Sequence, residues 1–353
     1  MADKPLISFI LISYRQEAYI CEAVAGALAQ TYSPLEIIFS DDCSPDRTFE
    51  IIKEMTAAYR GPHQIILNRN PQNLGLMGNF NRAMELSRGE LLVESAGDDI
   101  SAPERTTRLY QAWEQSGRRA TSVFSNARII DETGQVVVER YFQSLPCEAD
   151  MEVNLVSYDN KVQAAIYTLA NLPGCMANWV LGAVHAFHRR SYEIFGPIPG
   201  HLIQEDVALA WRSLLLGGFA YVDEPLVAYR RHSGNLYPDH PSAAQQQALQ
   251  LRNQRQIHWV NQNRLSNVRL AVRRGLINRV QFNYFEEALR WEIQCGKVTV
   301  NRMEGRWLAA FGNGLASLIT GVRRKKMCGW LLWLFVPGIF ARLRRMPAAG
   351  VQS

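Results

Sequence analysis

Glu90-Leu91-Leu92-Val93-Glu94-Ser95-Ala96-Gly97-Asp98-Asp99-Ile100 is the stretch that decides how the chain is read. Leu91 to Val93 form an apolar run that predicts a buried strand of a parallel sheet. The run stops at a glycine followed by two adjacent carboxylates, and Pro103 opens the first turn of a predicted helix. In open α/β sheets, ligands bind just beyond the carboxyl ends of the strands. Two acidic side chains there add little stability and suit oxygen ligation of a hard cation. A solvated turn is the competing reading, since Asp is a common turn former.

Upstream, strand and helix signals alternate. Ile7 to Ile12 predicts a strand that ends at Ser13-Tyr14-Arg15, and Ile20, Val24, Ala27 and Leu28 share one face of a following helix. Glu36 to Ser40 predicts a second strand, ending in Asp41-Asp42. Ser44 then offers an N-cap, with Pro45 at N1 and Asp46 in the first turn of a helix through Phe49, Ile52 and Met55. Gln64 to Asn68 is a third strand, and a polar loop leads to a helix around Asn79 to Ser87 that Gly89 terminates. This order implies right-handed βαβ units and a mostly parallel sheet flanked by helices, an α/β fold.

Downstream, a helix runs from Pro103 to Ser116. Thr121 to Asn126 and Ala127 to Val138 predict two strands, with Asp131 to Gly134 as a hairpin turn. Residues 141–178 show no usable periodicity. Glu205-Asp206 open a helix closed by Gly217-Gly218. Phe219 to Val222, a turn at Pro225 and Val227 to His232 follow. Past Ser233, Pro238, Pro241 and Gln245 to Gln247 resemble a linker into a long helix. The expected division is a catalytic domain over 1–235 and a basic α-helical region over 236–353.

The composition, 47% hydrophobic and 20% charged over 353 residues, is that of a globular chain. Six scattered cysteines form no C-x-x-C pair, which argues against a zinc site or a disulfide framework and for a reducing, cytoplasmic setting. Leu6 to Ile12 lacks the basic flank and cleavage site of a signal peptide. Charge is unevenly spread: residues 1–244 carry 20 Lys+Arg and 29 Asp+Glu, whereas residues 245–353 carry 18 and 4. A basic tail on an acidic body points to an anionic surface as partner. The loop after the first strand, Ser13 to Glu17, has neither the G-x-G-x-x-G of dinucleotide-dependent oxidoreductases nor the Gly-rich basic loop of nucleotidyltransferases.

Taken in order, these pieces resemble family 2 glycosyltransferases of the GT-A fold. The matching residues are Ile10 to Arg15 with Tyr19-Ile20; Gln30-Thr31-Tyr32; Leu35 to Asp46; Asn73-Leu74-Gly75; Arg88-Gly89-Glu90; Gly97-Asp98-Asp99; and Glu205-Asp206. They cover roughly residues 5–235. The resemblance implies an inverting sugar transfer from a nucleotide-sugar donor, assisted by a divalent cation (Mg²⁺ or Mn²⁺). It implies that Asp41 or Asp42 reads the base or ribose, the choice between them being open. It gives Asp99 to the cation and Asp98 to cation or ribose, with Ala96 standing where the D-x-D motif has its first Asp. Asp206 matches the catalytic base, and Arg230-Arg231-His232 resembles a Y-R-x-H element, with Arg231 on the diphosphate and His232 on the cation. Ser13, Arg15 and Asn73 are further donor-pocket candidates, Arg82 a weaker one, and Trp179 a candidate platform for an acceptor sugar. The Q-x-x-R-W motif of processive synthases is absent, which favours single-sugar addition. A non-catalytic, membrane-tethered scaffold that keeps the fold is the alternative from another class.

Arg323 to Lys326 precede an apolar segment, Met327 to Ala341, and Arg342, Arg344 and Arg345 follow it. The segment is shorter than the roughly 20 residues of a spanning helix. Basic flanks with Trp330 and Trp333 inside suit an interfacial helix on anionic lipid at the inner face of a membrane. A glycan or lipid-linked acceptor is the matching expectation. No recognition motif for nucleic acid accompanies the charge.

Overall fold

The structure, a computed structural model, describes residues 4–142, 154–158, 162–166, 181–235, 243–306 and 313. Four strands, β1 (Ile7–Ser13), β2 (Leu35–Asp41), β3 (Gln64–Arg69) and β4 (Leu91–Ala96), pair in parallel in the order β3-β2-β1-β4. Helices α1 (Ile20–Leu28), α2 (Thr48–Ala58) and α3 (Gly75–Leu86) connect them. Strand alternation sends Ile7, Phe9 and Leu11 of β1 to one face and Ile10 and Ile12 to the other, and both faces are covered. Burial on both sides explains why β1, β2 and β4 read as unbroken apolar runs.

The chain continues through β5 (Ile100–Ser101), α4 (Arg105–Gln115), β6 (Ser122–Ile130) and β7 (Val136–Val138). A separate antiparallel pair follows, β8 (Asn154–Tyr158) with β9 (Val162–Ile166). Then come β10 (His185–His188), α5 (Arg190–Phe195), α6 (Glu205–Leu216) and β11 (Phe219–Arg230). The sheet extends past β4 in the order β10-β6-β11-β5. Val24, Ile52 and Trp113 of α1, α2 and α4 pack on one face; Phe80 of α3 and Leu209 of α6 pack on the other.

The sheet is mostly parallel, as expected; β10 runs antiparallel to both β4 and β6, and β5 antiparallel to β11. Several other expectations are corrected. The strand start predicted at Ala127 lies inside a continuous β6, although the hairpin at Asp131 is present, its carboxylate accepting the N–H of Thr133 and Gln135. Pro225 does not end a strand. It sits in a register shift of β11, where a missing N–H is tolerated. Ser44 is not an N-cap, since α2 begins at Thr48. Gly89 serves close approach rather than helix termination: a Cβ there would stand 2.3 Å from the Ser8 nitrogen.

Gln245 to Gln247 belong to a helix, α7 (Ala243–Arg273), which pairs with α8 (Arg279–Met303). A capping box at Asn278 and Gln281 starts α8. Val268, Phe285 and Leu289 join Trp211 of α6 and Phe124 of β6 in one apolar cluster, with Trp211 and Phe285 edge to face at 5.4 Å. Pro238, Pro241, Trp179 and the segment 323–345 lie outside the described residues.

Candidate active site

The sheet order reverses at β1, whose neighbours are β2 and β4, and the register aligns Ser13 with Asp41 and Ile12 with Ala96. The three carboxyl ends therefore finish level, at the topological switch where α/β folds bind ligands. Asp41 is fully buried and spent internally, accepting the Ser44 N–H at 2.8 Å, the Ser44 hydroxyl and, at 3.4 Å, the Ser13 hydroxyl. Ser44 Oγ also accepts the N–H of Arg15 at 3.0 Å, which ties the loops after β1 and β2 together. Arg15 itself is exposed and left-handed, with φ 57°.

Asp42 is held differently. Its Oδ1 accepts Asn70 Nδ2 and the Leu74 N–H, both at 2.8 Å, and Oδ2 takes no hydrogen bond among the described residues. Asn70 also donates to Asn79 Oδ1 at 3.0 Å, which in turn accepts the Ser40 hydroxyl at 2.6 Å. This buried network pins Asp42 and leaves one carboxylate oxygen available. Asn73 is exposed and accepts the N–H of Gly75 at 3.0 Å, a turn that starts α3. Arg82 pairs with Glu85 on the surface of α3.

At the end of β4 the two adjacent acids part company. Gly97 lets the turn pack on the loop after β1, since a Cβ would meet Gln16 Oε1 at 2.4 Å. Asp99 is 1% exposed; its Oδ1 accepts the Arg230 N–H at 2.8 Å and its Oδ2 is buried without a partner. Burial first, then the charge of Asp98, push its carboxyl well above the ordinary range, against the opposing pull of Arg230 and Arg105. Asp98, by contrast, keeps part of its side chain exposed and places Oδ2 3.1 Å from His232 Nε2. Arg230 is turned inward. It is buried, donates to the Asp98 carbonyl at 3.0 Å, pairs with Glu22 and lies 4.9 Å from the centre of the Tyr19 ring. Arg231 is exposed beside it, its backbone N–H on the Ile130 carbonyl at 2.9 Å. Below the turn, Arg105 donates to Ser101 Oγ at 2.9 Å and the Glu94 carbonyl at 2.6 Å, bracing both sides.

Asp98 Oδ2 and His232 Nε2 are separated by about the spacing of adjacent ligands on an octahedral ion with bonds of about 2.1 Å. This oxygen–nitrogen pair therefore fits a divalent cation. Among the described residues no group of three or more His, Cys, Asp or Glu is placed to hold one. Donor phosphates and water would have to complete the shell. The Gly234 N–H donates to His232 Nδ1 at 3.1 Å, so the neutral ring carries its proton on Nε2, towards Asp98. Ligation through Nε2 requires that proton to move, which makes Asp98 the stronger of the two ligands.

Asp206 stands in the first turn of α6, half-buried, with Oδ1 accepting the Val207 N–H at 2.7 Å and Oδ2 the Gly182 N–H at 3.1 Å. Burial raises its pKa to about 6, and those backbone donors limit the rise. Beside it, Glu205 is raised to about 8 by burial and then by Asp206. Glu94 of β4 belongs to the same acidic cluster and is pushed well above the ordinary range by burial and by both neighbours. Sequence reasoning gave Glu94 no role. The signal was a carboxylate directly after Leu91-Leu92-Val93, inside a buried strand.

The Glu205 shift has a testable consequence for stability. A carboxyl raised in the fold contributes stability that is complete below its ordinary pKa and is lost as pH rises from about 4.5 to about 8. Glu205→Gln is therefore expected to gain on the wild type between pH 5 and pH 8.5, by at most about 5 kcal/mol at about 1.4 kcal/mol per pKa unit. Urea unfolding at the two pH values measures it, and an unchanged difference would refute the coupling.

Residues 8–177 match the family model described as Glycosyl transferase family 2. An uncharacterized protein of Mycobacterium tuberculosis is 29% identical over 232 residues, 65% of this chain and 60% of that protein. The chain thus spans about 60% of the length of the first curated relatives it matches. An uncharacterized glycosyltransferase of Nostoc sp. is 24% identical over 260 residues, 72% of this chain and 73% of that protein. Among solved structures, S. aureus TarS 1–349 in complex with UDP-GlcNAc superimposes with a TM-score of 0.50 at 15% identity, covering 81% of this chain and 91% of that one. Just under half of the chain, residues 8–177, is thus similar to glycosyl transferase family 2, and the fold is of the GT-A type.

Proposed function

We propose that the protein transfers a sugar, with inversion, from a nucleoside-diphosphate donor to an acceptor hydroxyl. The observation that carries this reading is a buried acidic cluster: Glu94, on the strand that ends in Gly97-Asp98-Asp99, feels the charges of Glu205 and Asp206 at the start of α6. We read Asp206 as the base for in-line displacement at an anomeric carbon, with the diphosphate at the end of that strand.

In this reading Asp42 Oδ2 accepts from the base or ribose, and the loops carrying Ser13, Arg15 and Asn73 wall the pocket. Asp98, seconded by His232, holds a divalent cation, and Asp99 fixes the turn to β11. Arg231 supports the diphosphate. A cation bound there would offset the charge that develops on the leaving nucleoside diphosphate. Asp206 takes the acceptor proton as the new bond forms. The basic region 236–353 would bring the enzyme to the inner face of a membrane, with a glycan or lipid-linked acceptor in surface polysaccharide synthesis. TarS, solved with UDP-GlcNAc, supports a nucleotide-sugar donor. Ala96, lacking a carboxylate at the end of β4, favours the second reading, a scaffold without transferase activity.

Thermal unfolding against a panel of nucleotide sugars with Mn²⁺ separates the two. At 100 times its Kd, a donor bound only by the folded state adds about 2.7 kcal/mol, a rise of about 3–6 °C in Tm. One donor is expected to produce that rise and to be hydrolysed slowly; a panel without any shift would leave the scaffold reading standing.

A further inference from the structure

The α7–α8 pair forms an open pocket lined by none of the candidate active-site residues. It measures about 470 Å³ and is lined by Gln262, Leu265, Ser266, Arg269, Arg273 and Ile293. Gln262, Ser266, Arg269 and Arg273 recur at spacings of four, three and four, so they form one stripe along α7. All four are exposed, whereas Leu265 and Ile293 are 8% and 9% exposed and belong to the apolar cluster beneath. The cavity thus has an apolar floor and a rim rich in hydrogen-bond donors.

Among the described residues no carboxylate lines that rim. The nearest acid engaged with it, Glu286, is taken up by Arg269 and Arg290, each at 3.0 Å. Arg273 stands in the last turn of α7, where the helix dipole favours a cation. It makes no hydrogen bond or ion pair among the described residues. The surrounding surface is of the same sign, since residues 243–306 carry 11 Lys+Arg against 4 Asp+Glu.

From this we infer that the cavity docks the headgroup of an anionic membrane phospholipid. The lipid phosphate meets Arg273 and Arg269, and its first acyl methylenes rest on Leu265 and Ile293. The volume falls within the ordinary range for small-molecule sites. A free phosphate could satisfy the arginines but not the apolar floor. The inference does not rest on the sugar-transfer reading.

Calorimetric titration of the full chain with monomeric dihexanoyl-phosphatidylglycerol, at physiological ionic strength, tests it. Dihexanoyl-phosphatidylcholine and inorganic phosphate serve as comparison ligands. One saturable site for the anionic lipid is expected, weakened about tenfold or more by Arg273→Glu, as for the loss of a charge-assisted contact. Arg274→Glu makes the same charge change one residue beyond the end of α7, at a position that does not line the pocket, and is expected to weaken binding by less than about twofold. Equal losses in the two variants would show diffuse attraction to a basic surface and overturn the site. So would phosphate binding as tightly as the lipid, or the absence of saturation. Both substitutions are at exposed positions, and matching Tm values would confirm intact folds.

Discussion

Asp206→Asn is expected to lower sugar transfer by about 10²–10⁴-fold, the usual contribution of a positioned general base, while donor affinity stays within about twofold. The substitution keeps an acceptor oxygen for only one of the two backbone N–H groups, Gly182 or Val207, so the fold should survive with some loss of Tm. The wild-type rate should also rise with pH through about 6, where Asp206 becomes ionised and able to accept a proton. Glu205 and Glu94 belong to the same acidic cluster. Glu94→Gln should therefore shift the acidic limb without removing it. Steady-state kinetics over pH 5–9, together with donor binding measured directly, would check both statements. Normal transfer by Asp206→Asn would remove it from the role of base.

Asp98→Ala should cost at least about 100-fold in kcat/KM, a loss in the range of several kcal/mol for an ion on a leaving group. The loss should fall on donor and Mn²⁺ binding. His232→Ala should do less, because its Nε2 proton is directed at Asp98 and must move before the nitrogen can ligate. Asp99→Asn should keep the Arg230 N–H bond and leave Mn²⁺ affinity near that of the wild type. Titration of Mn²⁺ by electron paramagnetic resonance, with and without donor, ranks the three variants. If Asp99→Asn abolishes Mn²⁺ binding while Asp98→Ala leaves it intact, the roles of the two acids are reversed.

Much of this was legible along the chain because it depends on neighbours in sequence. A strand buried on both faces needs an unbroken apolar run, so β1, β2 and β4 declare themselves, as do the acids at their ends. The start of α6 at Glu205-Asp206 is equally local. Strand β10 was not legible, since four residues inserted antiparallel between β4 and β6 leave no periodicity to read. The burial of Arg230 was not legible either, because a basic turn after a strand looks the same whether buried or exposed.

By itself, then, the sequence determined the fold class, the order of the βαβ units and the presence of carboxylates at their ends. Only the tertiary structure decided what each member of those acidic pairs does. Asp98 and Asp99 are adjacent and chemically alike, yet a backbone N–H 131 residues away engages Asp99 while Asp98 turns to His232. Asp41 and Asp42 divide in the same way, one spent on Ser44 and the other kept partly free. The physical reason is that long-range hydrogen bonds and burial select among equivalent side chains. Those partners are set by chain closure, which local pattern does not encode.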